Sequence, residues 1–176
     1  PNNSTQVHQH FQCVLSEFYE MEGRMAAAAA AGEMGLEIFM QKHLFTRKDS
    51  SQEISLRWKL AEIHYQTGNI KRMMELSSAA VRLAKAILAP TRADSLDLGN
   101  AYTSLAIAYF NVGDSEGARS EQAKAIKIFK EISIPERSDS VMLSPSYNWM
   151  AGYLDEVGMK DEGIQMREDN IQLKKS

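Results

Sequence analysis

Apolar residues recur at helical spacing along most of this chain, and short polar stretches separate one apolar segment from the next. Between residues 52 and 66, for example, Leu56, Leu60 and Ile63 fall on one stripe of a helix. No segment shows the sustained alternation of β-branched residues that is typical of a strand. The pattern therefore predicts helices over Val7–Met21, Arg24–Leu44, Gln52–Gln66, Ile70–Leu88, Leu96–Asn111, Ser115–Ile132 and Lys160–Lys174, with one more that starts at Ser144 and Pro145.

This pattern repeats every 45 residues. Gly113, which follows one apolar segment, aligns with Gly23, Gly68 and Gly158 when the sequence is shifted by that interval. Self-similarity at a fixed interval is typical of repeat proteins, in which each repeat covers the apolar face of its neighbour. We therefore predict an all-α fold, an α-solenoid of four stacked helical hairpins in a single domain over 1–176, with repeats at about 7–45, 52–90, 96–135 and 144–175.

The third repeat carries the most specific pattern, at the spacings of the tetratricopeptide repeat (TPR). The chain resembles the TPR family. Most TPRs have about 34 residues, and the longer period of this chain is similar to that of kinesin light chains and of fungal NLR-associated TPR regions. The resemblance implies a right-handed superhelix in which the first helix of each hairpin lines a groove for an extended peptide or a partner helix. The matching residues are Tyr102, Leu105, Ala106, Tyr109, Gly113 and Ala118, while Gln122 departs from the family pattern.

The polar connectors repeat as well. Arg47, Arg92 and Arg137 are each followed two residues later by Asp and then by Ser. We interpret the Asp and Ser as caps of the incoming helix, and the Arg as a donor to carbonyls at the end of the outgoing helix. An array of arginines that binds an anionic ligand is the alternative. In the first of these connectors, Thr46–Ser51, Ser50 lies three residues before a glutamate, the spacing of a capping box.

The same shift identifies a candidate binding face on the first helices, beside the core stripe. Aromatic side chains on this face are flanked by carboxylates, and no Lys or Arg occupies it. Aromatic anchors and complementary charge are typical of peptide-binding surfaces, so we expect a protein or peptide partner with basic and apolar side chains. The alternative is that the aromatics pack against neighbouring helices and the acids only confer solubility. The face comprises Glu17, Glu20, Trp58, Glu62, Tyr65, Asn100, Thr103, Ile107, Phe110, Asn148 and Asp155.

No sequence pattern indicates catalysis. There is no Gly-rich phosphate loop, nucleophile elbow, HExxH motif or pair of cysteines. His8 and His10, two residues apart, do not share a helix face, and His43 and His64 stand alone as surface or packing residues, so we expect no metal site. We predict a protein that is not an enzyme and needs no cofactor.

Composition narrows the class of partner. The net charge is −3 and no block of Lys or Arg stands out, which argues against nucleic acid. The alanine run 26–31 is too short and too weakly hydrophobic to cross a membrane. The single cysteine, Cys13, suits a reducing compartment or simple indifference to redox, and we expect a cytoplasmic protein. Because the sequence begins at Pro1 without Met, we expect a scaffold or sensor region of a larger protein. A self-associating structural repeat and a regulatory domain that binds a small ligand remain alternatives.

Overall fold

The structure is a computed structural model that describes residues 15–17, 19–41, 47–88, 90–132, 148, 151–152, 154–155 and 158–175. Within these ranges every regular element is helical and there is no strand, which confirms the all-α prediction. Helix α1 is described over residues 15–17 and 19–21, and α7 at residues 148, 151–152 and 154–155. The other helices are α2 (Met25–Met40), α3 (Arg47–Gln66), α4 (Ile70–Ala86), α5 (Arg92–Asn111), α6 (Ser115–Ile132) and α8 (Lys160–Lys175).

The chain divides into two compact units, Pro1–Pro90 and Thr91–Ser176, which we call the N-terminal and the C-terminal unit. The N-terminal unit contains α1 to α4, and the C-terminal unit contains α5 to α8. Among the described residues, no helix is both long enough and apolar enough to cross a membrane.

A glycine in the left-handed conformation ends the first helix of every hairpin. The φ angles of Gly23, Gly68, Gly113 and Gly158 are 70°, 74°, 83° and 79°. A Cβ atom added at any of the four would meet nothing within 4 Å, so the backbone conformation and not the available space requires glycine there. The turns predicted from the 45-residue interval are therefore built alike.

In the N-terminal unit, α2 lies very close to α3. A Cβ atom added to Gly32 would stand 2.7 Å from Cδ1 of Leu60 and 3.2 Å from the Ser16 hydroxyl oxygen. That hydroxyl donates a hydrogen bond of 2.8 Å to the carbonyl of Ala28, which ties α1 to α2. Glycine weakens an isolated helix, but here it permits a packing distance that alanine would prevent. The largest buried side chains of the N-terminal unit include Phe39, Ile54, Leu60, Met73 and Leu76.

The C-terminal unit uses the same device between α5 and α6. A Cβ atom at Gly99 would lie 2.6 Å from Cε1 of Phe129, a ring that is fully buried. Tyr102, Leu105 and Ala106 continue the core along α5. Ala118, Ala125 and Phe129 are buried on α6 as the helical pattern predicts, while Ile126 is half-buried.

Two predicted helix starts were wrong. Helix α3 begins at Arg47, five residues before the predicted start, so Ser50 lies inside the helix and the predicted capping box does not form. Glu53 instead accepts a hydrogen bond of 2.7 Å from Nε of Arg57 one turn later. Because α3 already includes Ser50, this serine does not lie at the start of the helix, where an N-cap residue would stand.

Helix α5 begins at Arg92, where the sequence predicted a start at Leu96. Thr91 is the N-cap: its hydroxyl accepts from the Asp94 backbone N–H at 3.2 Å, and the Asp94 carboxylate accepts from the Thr91 N–H at 2.7 Å. The predicted capping role of the aspartate is confirmed, but its partner is a threonine upstream. Helix α4 ends at Ala86, shortly before Pro90, and the start predicted at Ser144 lies outside the described residues.

Candidate functional site

In the N-terminal unit, predicted face residues of α1 and α3 come together. The Lys59 ammonium lies 3.8 Å from the Glu17 carboxylate, and the charge of Glu20 acts on Glu62. The pKa of Glu62 is raised above its ordinary value of 4.5, first because burial removes its carboxylate from water and second because Glu20 repels the negative charge. Lys59 only partly offsets these effects. The structure therefore holds an acidic cluster, Glu17, Glu20 and Glu62, that a single lysine does not neutralise.

Aromatic side chains flank the central acid of this cluster. Trp58, Glu62 and Tyr65 are spaced by four and three residues, which places them on one face of α3. Both aromatic side chains are half-buried, so part of each ring is covered by the protein and part reaches the solvent. The predicted combination of aromatic and acidic side chains thus occurs on one helix face.

In the C-terminal unit, three of the predicted face residues are buried. Asn100, Thr103 and Ile107 lie in the interior, and Ile107 is only 3% exposed. The Thr103 hydroxyl donates a 3.0 Å hydrogen bond to the Gly99 carbonyl of the preceding turn. None of the three side chains offers an open surface to a partner. Phe110, at the end of α5, is exposed.

The predicted face residues of the last hairpin are engaged within it. Asn148 accepts a hydrogen bond of 2.7 Å from the Asn170 amide of α8. Asp155 pairs with Arg167 of α8, and this hydrogen bond lowers the pKa of the Asp155 carboxyl. No position of the predicted face is itself a Lys or Arg, but cations from other positions pair with two of its acids, Lys59 with Glu17 and Arg167 with Asp155. The sequence did not show these cations because both lie outside the aligned rows of the face.

A further charged group was missed from the sequence. Arg72 of α4 donates to both carboxylate oxygens of Glu33 on α2, at 2.7 Å and 2.8 Å, and His64 Nε2 of α3 lies 2.9 Å from the same carboxylate. The Arg72 hydrogen bonds lower the pKa of Glu33 to about 2. His64 was interpreted as an isolated surface or packing residue. The available signal was Glu33 itself, the first charged residue after the alanine run of α2.

Of the three arginines in the polar connectors, only Arg92 has a side chain that the structure describes. Its guanidinium donates to the carbonyl of Ile132, the last residue of α6. The interpretation as a donor at a helix end is confirmed, but the helix is α6 and not the preceding α4. The side chains of Arg47 and Arg137 lie outside the described part of the chain.

Metal binding finds no support in the residues that the structure describes: no three His, Cys, Asp or Glu side chains are grouped so as to hold an ion. His8, His10, Cys13 and His43 fall outside those residues.

Comparison with known proteins gives a similarity of fold. No family model matches the chain, and none of the curated proteins matches it. Among solved structures it is similar to BtubC (BKLC) from P. vanneervenii, with a TM-score of 0.66 and 16% sequence identity over 96% of this chain. The chain spans 64% of the length of that protein. At this identity the likeness supports a helical-repeat fold and nothing more specific.

Proposed function

We propose that this chain is a TPR-like α-solenoid of four stacked hairpins with a 45-residue period and a right-handed superhelix. Two observations support the proposal. Left-handed glycines recur at this interval in all four turns, each after the first helix of its hairpin. The similarity to a solved structure extends over 96% of the chain. Stacked hairpins of this kind expose the faces of their first helices along one side.

On this scaffold, the function that we propose is non-catalytic binding of a protein segment with basic and apolar side chains, in a cytoplasmic scaffold or sensor. The observation that carries it is the environment of Glu62. Its carboxylate is half-buried, faces the charge of Glu20 and has a raised pKa. A Lys or Arg side chain of a partner beside the Glu62 carboxylate would offset the repulsion from Glu20 and compensate the carboxylate for its lost hydration. Binding therefore gains from charge complementarity.

The aromatic neighbours supply the apolar part of the same face. Trp58 and Tyr65 lie one turn before and about one turn after Glu62 on α3. A partner side chain that covers the solvent-facing part of either ring removes apolar surface from water, at about 25 cal/mol per Å². Trp and Tyr are also the residue types that most often carry the binding energy of an interface. A segment that alternates basic and apolar residues therefore fits the N-terminal unit.

The test is a fluorescence-anisotropy titration of labelled peptides with alternating Arg and Leu against the protein. We expect Trp58→Ala and Glu62→Gln each to weaken binding by about 5- to 10-fold, the loss of one anchor or one charge pair. Glu116→Gln is the matched control, because Glu116 is an exposed acid on α6 of the C-terminal unit. Equal affinity for an Arg/Leu peptide and for its Glu/Leu counterpart would reject the proposal.

A further inference from the structure

The last helix exposes an apolar stripe with a carboxylate in its middle. Ile164 is 52% exposed and Ile171 is 49% exposed, and Glu168, also exposed, lies between them. Spacings of four and three residues place all three side chains on one face of α8. The buried side of α8 is a different one, formed by Gly163, Met166 and Asn170. This stripe is therefore surface that the described part of the C-terminal unit leaves uncovered.

The same three positions are covered in the first hairpin. Three repeat intervals earlier, α2 carries Ala29, Glu33 and Leu36, and there Ala29 is only 8% exposed and Leu36 only 4%. The adjacent hairpin supplies a cation, since Arg72 and His64 both bond Glu33. In the N-terminal unit, the equivalent stripe on α2, the second helix of its hairpin, thus lies in a packed contact with the next hairpin.

The residue next to the stripe differs between the two helices in a way that affects close packing. Arg167 of α8 stands where α2 has Gly32, the residue that lets Leu60 approach closely. Arg167 bonds Asp155 of its own hairpin, so its side chain is held toward α7 and away from the stripe. Docking on α8 therefore lacks the closest approach seen on α2, and the association should be weaker than the contact inside the chain.

The first hairpin offers a matching surface at the other end of the sequence. Leu15 of α1 corresponds to Leu60, and it is half-buried where Leu60 is almost fully buried. Tyr19 corresponds to His64, and the guanidinium of Arg24 lies over the Tyr19 ring, 4.5 Å from its centre. Arg24 stands about one helical turn before the position equivalent to Arg72. Its side chain is 59% exposed and lies 3.5 Å from the Glu22 carboxylate. An exposed pair of this kind contributes little to stability, so the guanidinium can exchange it for a carboxylate of a second copy. An apolar residue and an accessible cation are thus available for Ile164, Glu168 and Ile171.

We propose that the stripe Ile164–Glu168–Ile171 on α8 docks the first hairpin of a second copy of this chain, with Arg24 of that copy beside Glu168. The contact joins two different surfaces, so a pair of copies leaves one surface of each kind open. Association of this type proceeds head to tail and does not close at a dimer. The alanine-rich helix α2 is not the contact, because Ala28, Ala29 and Ala31 are already buried in the N-terminal unit.

The test is a charge exchange followed by sedimentation velocity over a wide range of concentration. The wild-type chain should show an average mass that rises with concentration beyond that of a dimer. Glu168→Arg and Arg24→Glu should each weaken the association by about tenfold, because each places like charges opposite one another. An equimolar mixture of the two variants should recover the wild-type association, since Glu168 of one variant meets Arg24 of the other.

The control reverses a charge on the other side of α8. Glu162 is exposed, and its position on the helix places it away from the stripe, so Glu162→Arg should associate as the wild type does. Circular dichroism checks that all variants keep their helix content. A wild-type chain that stays monomeric throughout, a Glu168→Arg variant that matches the control, or a mixture no stronger than its components would each overturn the proposal. The peptide affinity of Glu168→Arg should equal that of the wild type, which separates this proposal from the binding function above.

Discussion

Glu62 in the N-terminal unit and Ile107 in the C-terminal unit lie 45 residues apart, at the same position of the predicted repeat, yet their environments are opposite. Glu62 is a half-buried acid near the charge of a second acid, Glu20, whereas Ile107 on α5 is buried and only 3% exposed. The difference shows that repeat position determines which face of a helix a residue occupies, while its neighbours decide whether that face is core or surface. The candidate binding face therefore belongs to the N-terminal unit.

The largest effect is expected when the acid found at one site is placed at the other. Ile107→Glu places a carboxylate in the buried site, which should destabilise the protein by about 3–5 kcal/mol, because the charge loses its hydration without gaining a partner. Urea unfolding followed by circular dichroism measures the change. Phe110→Glu, at the exposed end of the same helix, should change the free energy of unfolding by less than about 0.5 kcal/mol. Similar losses for both variants would contradict the assigned burial.

Both units contain a glycine that allows two helices to pack closely. Gly99→Ala in α5 and Gly32→Ala in α2 should each destabilise by about 1–3 kcal/mol, since the added methyl group overlaps Phe129 or Leu60. The control is Gly152→Ala in α7, where an added Cβ meets nothing within 4 Å. That variant should be neutral or more stable by up to about 1 kcal/mol, because alanine favours helix. Thermal unfolding of the three variants ranks them.

The ion pairs of Glu33 predict a pH dependence confined to acid. Its pKa is about 2 in the folded protein and 4.5 when exposed, so the stabilisation is complete above pH 4.5 and is lost as the pH falls toward 2. At neutral pH, Glu33→Gln should cost about 1–2 kcal/mol after allowance for partial solvent screening. The difference between variant and wild type, measured by urea unfolding at a series of pH values, should shrink below pH 4.5. A difference independent of pH would show that the charge is not the cause.

Glu62 should behave in the opposite way, with a smaller effect. Because its pKa is raised in the folded state, ionisation opposes folding at neutral pH, and the penalty disappears as the pH falls through the raised pKa to 4.5. Glu62→Gln should therefore stabilise the protein by about 0.5 kcal/mol at pH 7 and have no effect in acid. The same unfolding series, run beside Glu33→Gln, checks that the two differences have opposite sign. A destabilising Glu62→Gln would mean that Glu62 is already paired.

The helical class and most helix boundaries could be predicted because they depend on local properties. Apolar spacing and the glycines at 45-residue intervals are visible in the chain, and helix α6 has the predicted bounds. The starts of α3 and α5 were missed because capping depends on which side chains meet, and Thr91, which caps α5, fell outside the aligned Arg-Asp-Ser pattern. The exposure of the candidate face was predicted only in part, since alignment of the predicted repeats assigns every copy the same exposure.

By itself, the sequence determined the helical class, the left-handed turns and the face of each helix on which a residue lies, because these follow from helical periodicity and from the backbone freedom of glycine. The tertiary structure alone decided which of those faces are covered. It buried Thr103 and Ile107, joined Glu33 to His64 and Arg72 across three helices, and left Ile164 and Ile171 exposed. Burial and charge pairing depend on neighbours that are distant in the chain, and no local pattern of residues encodes their distance in space.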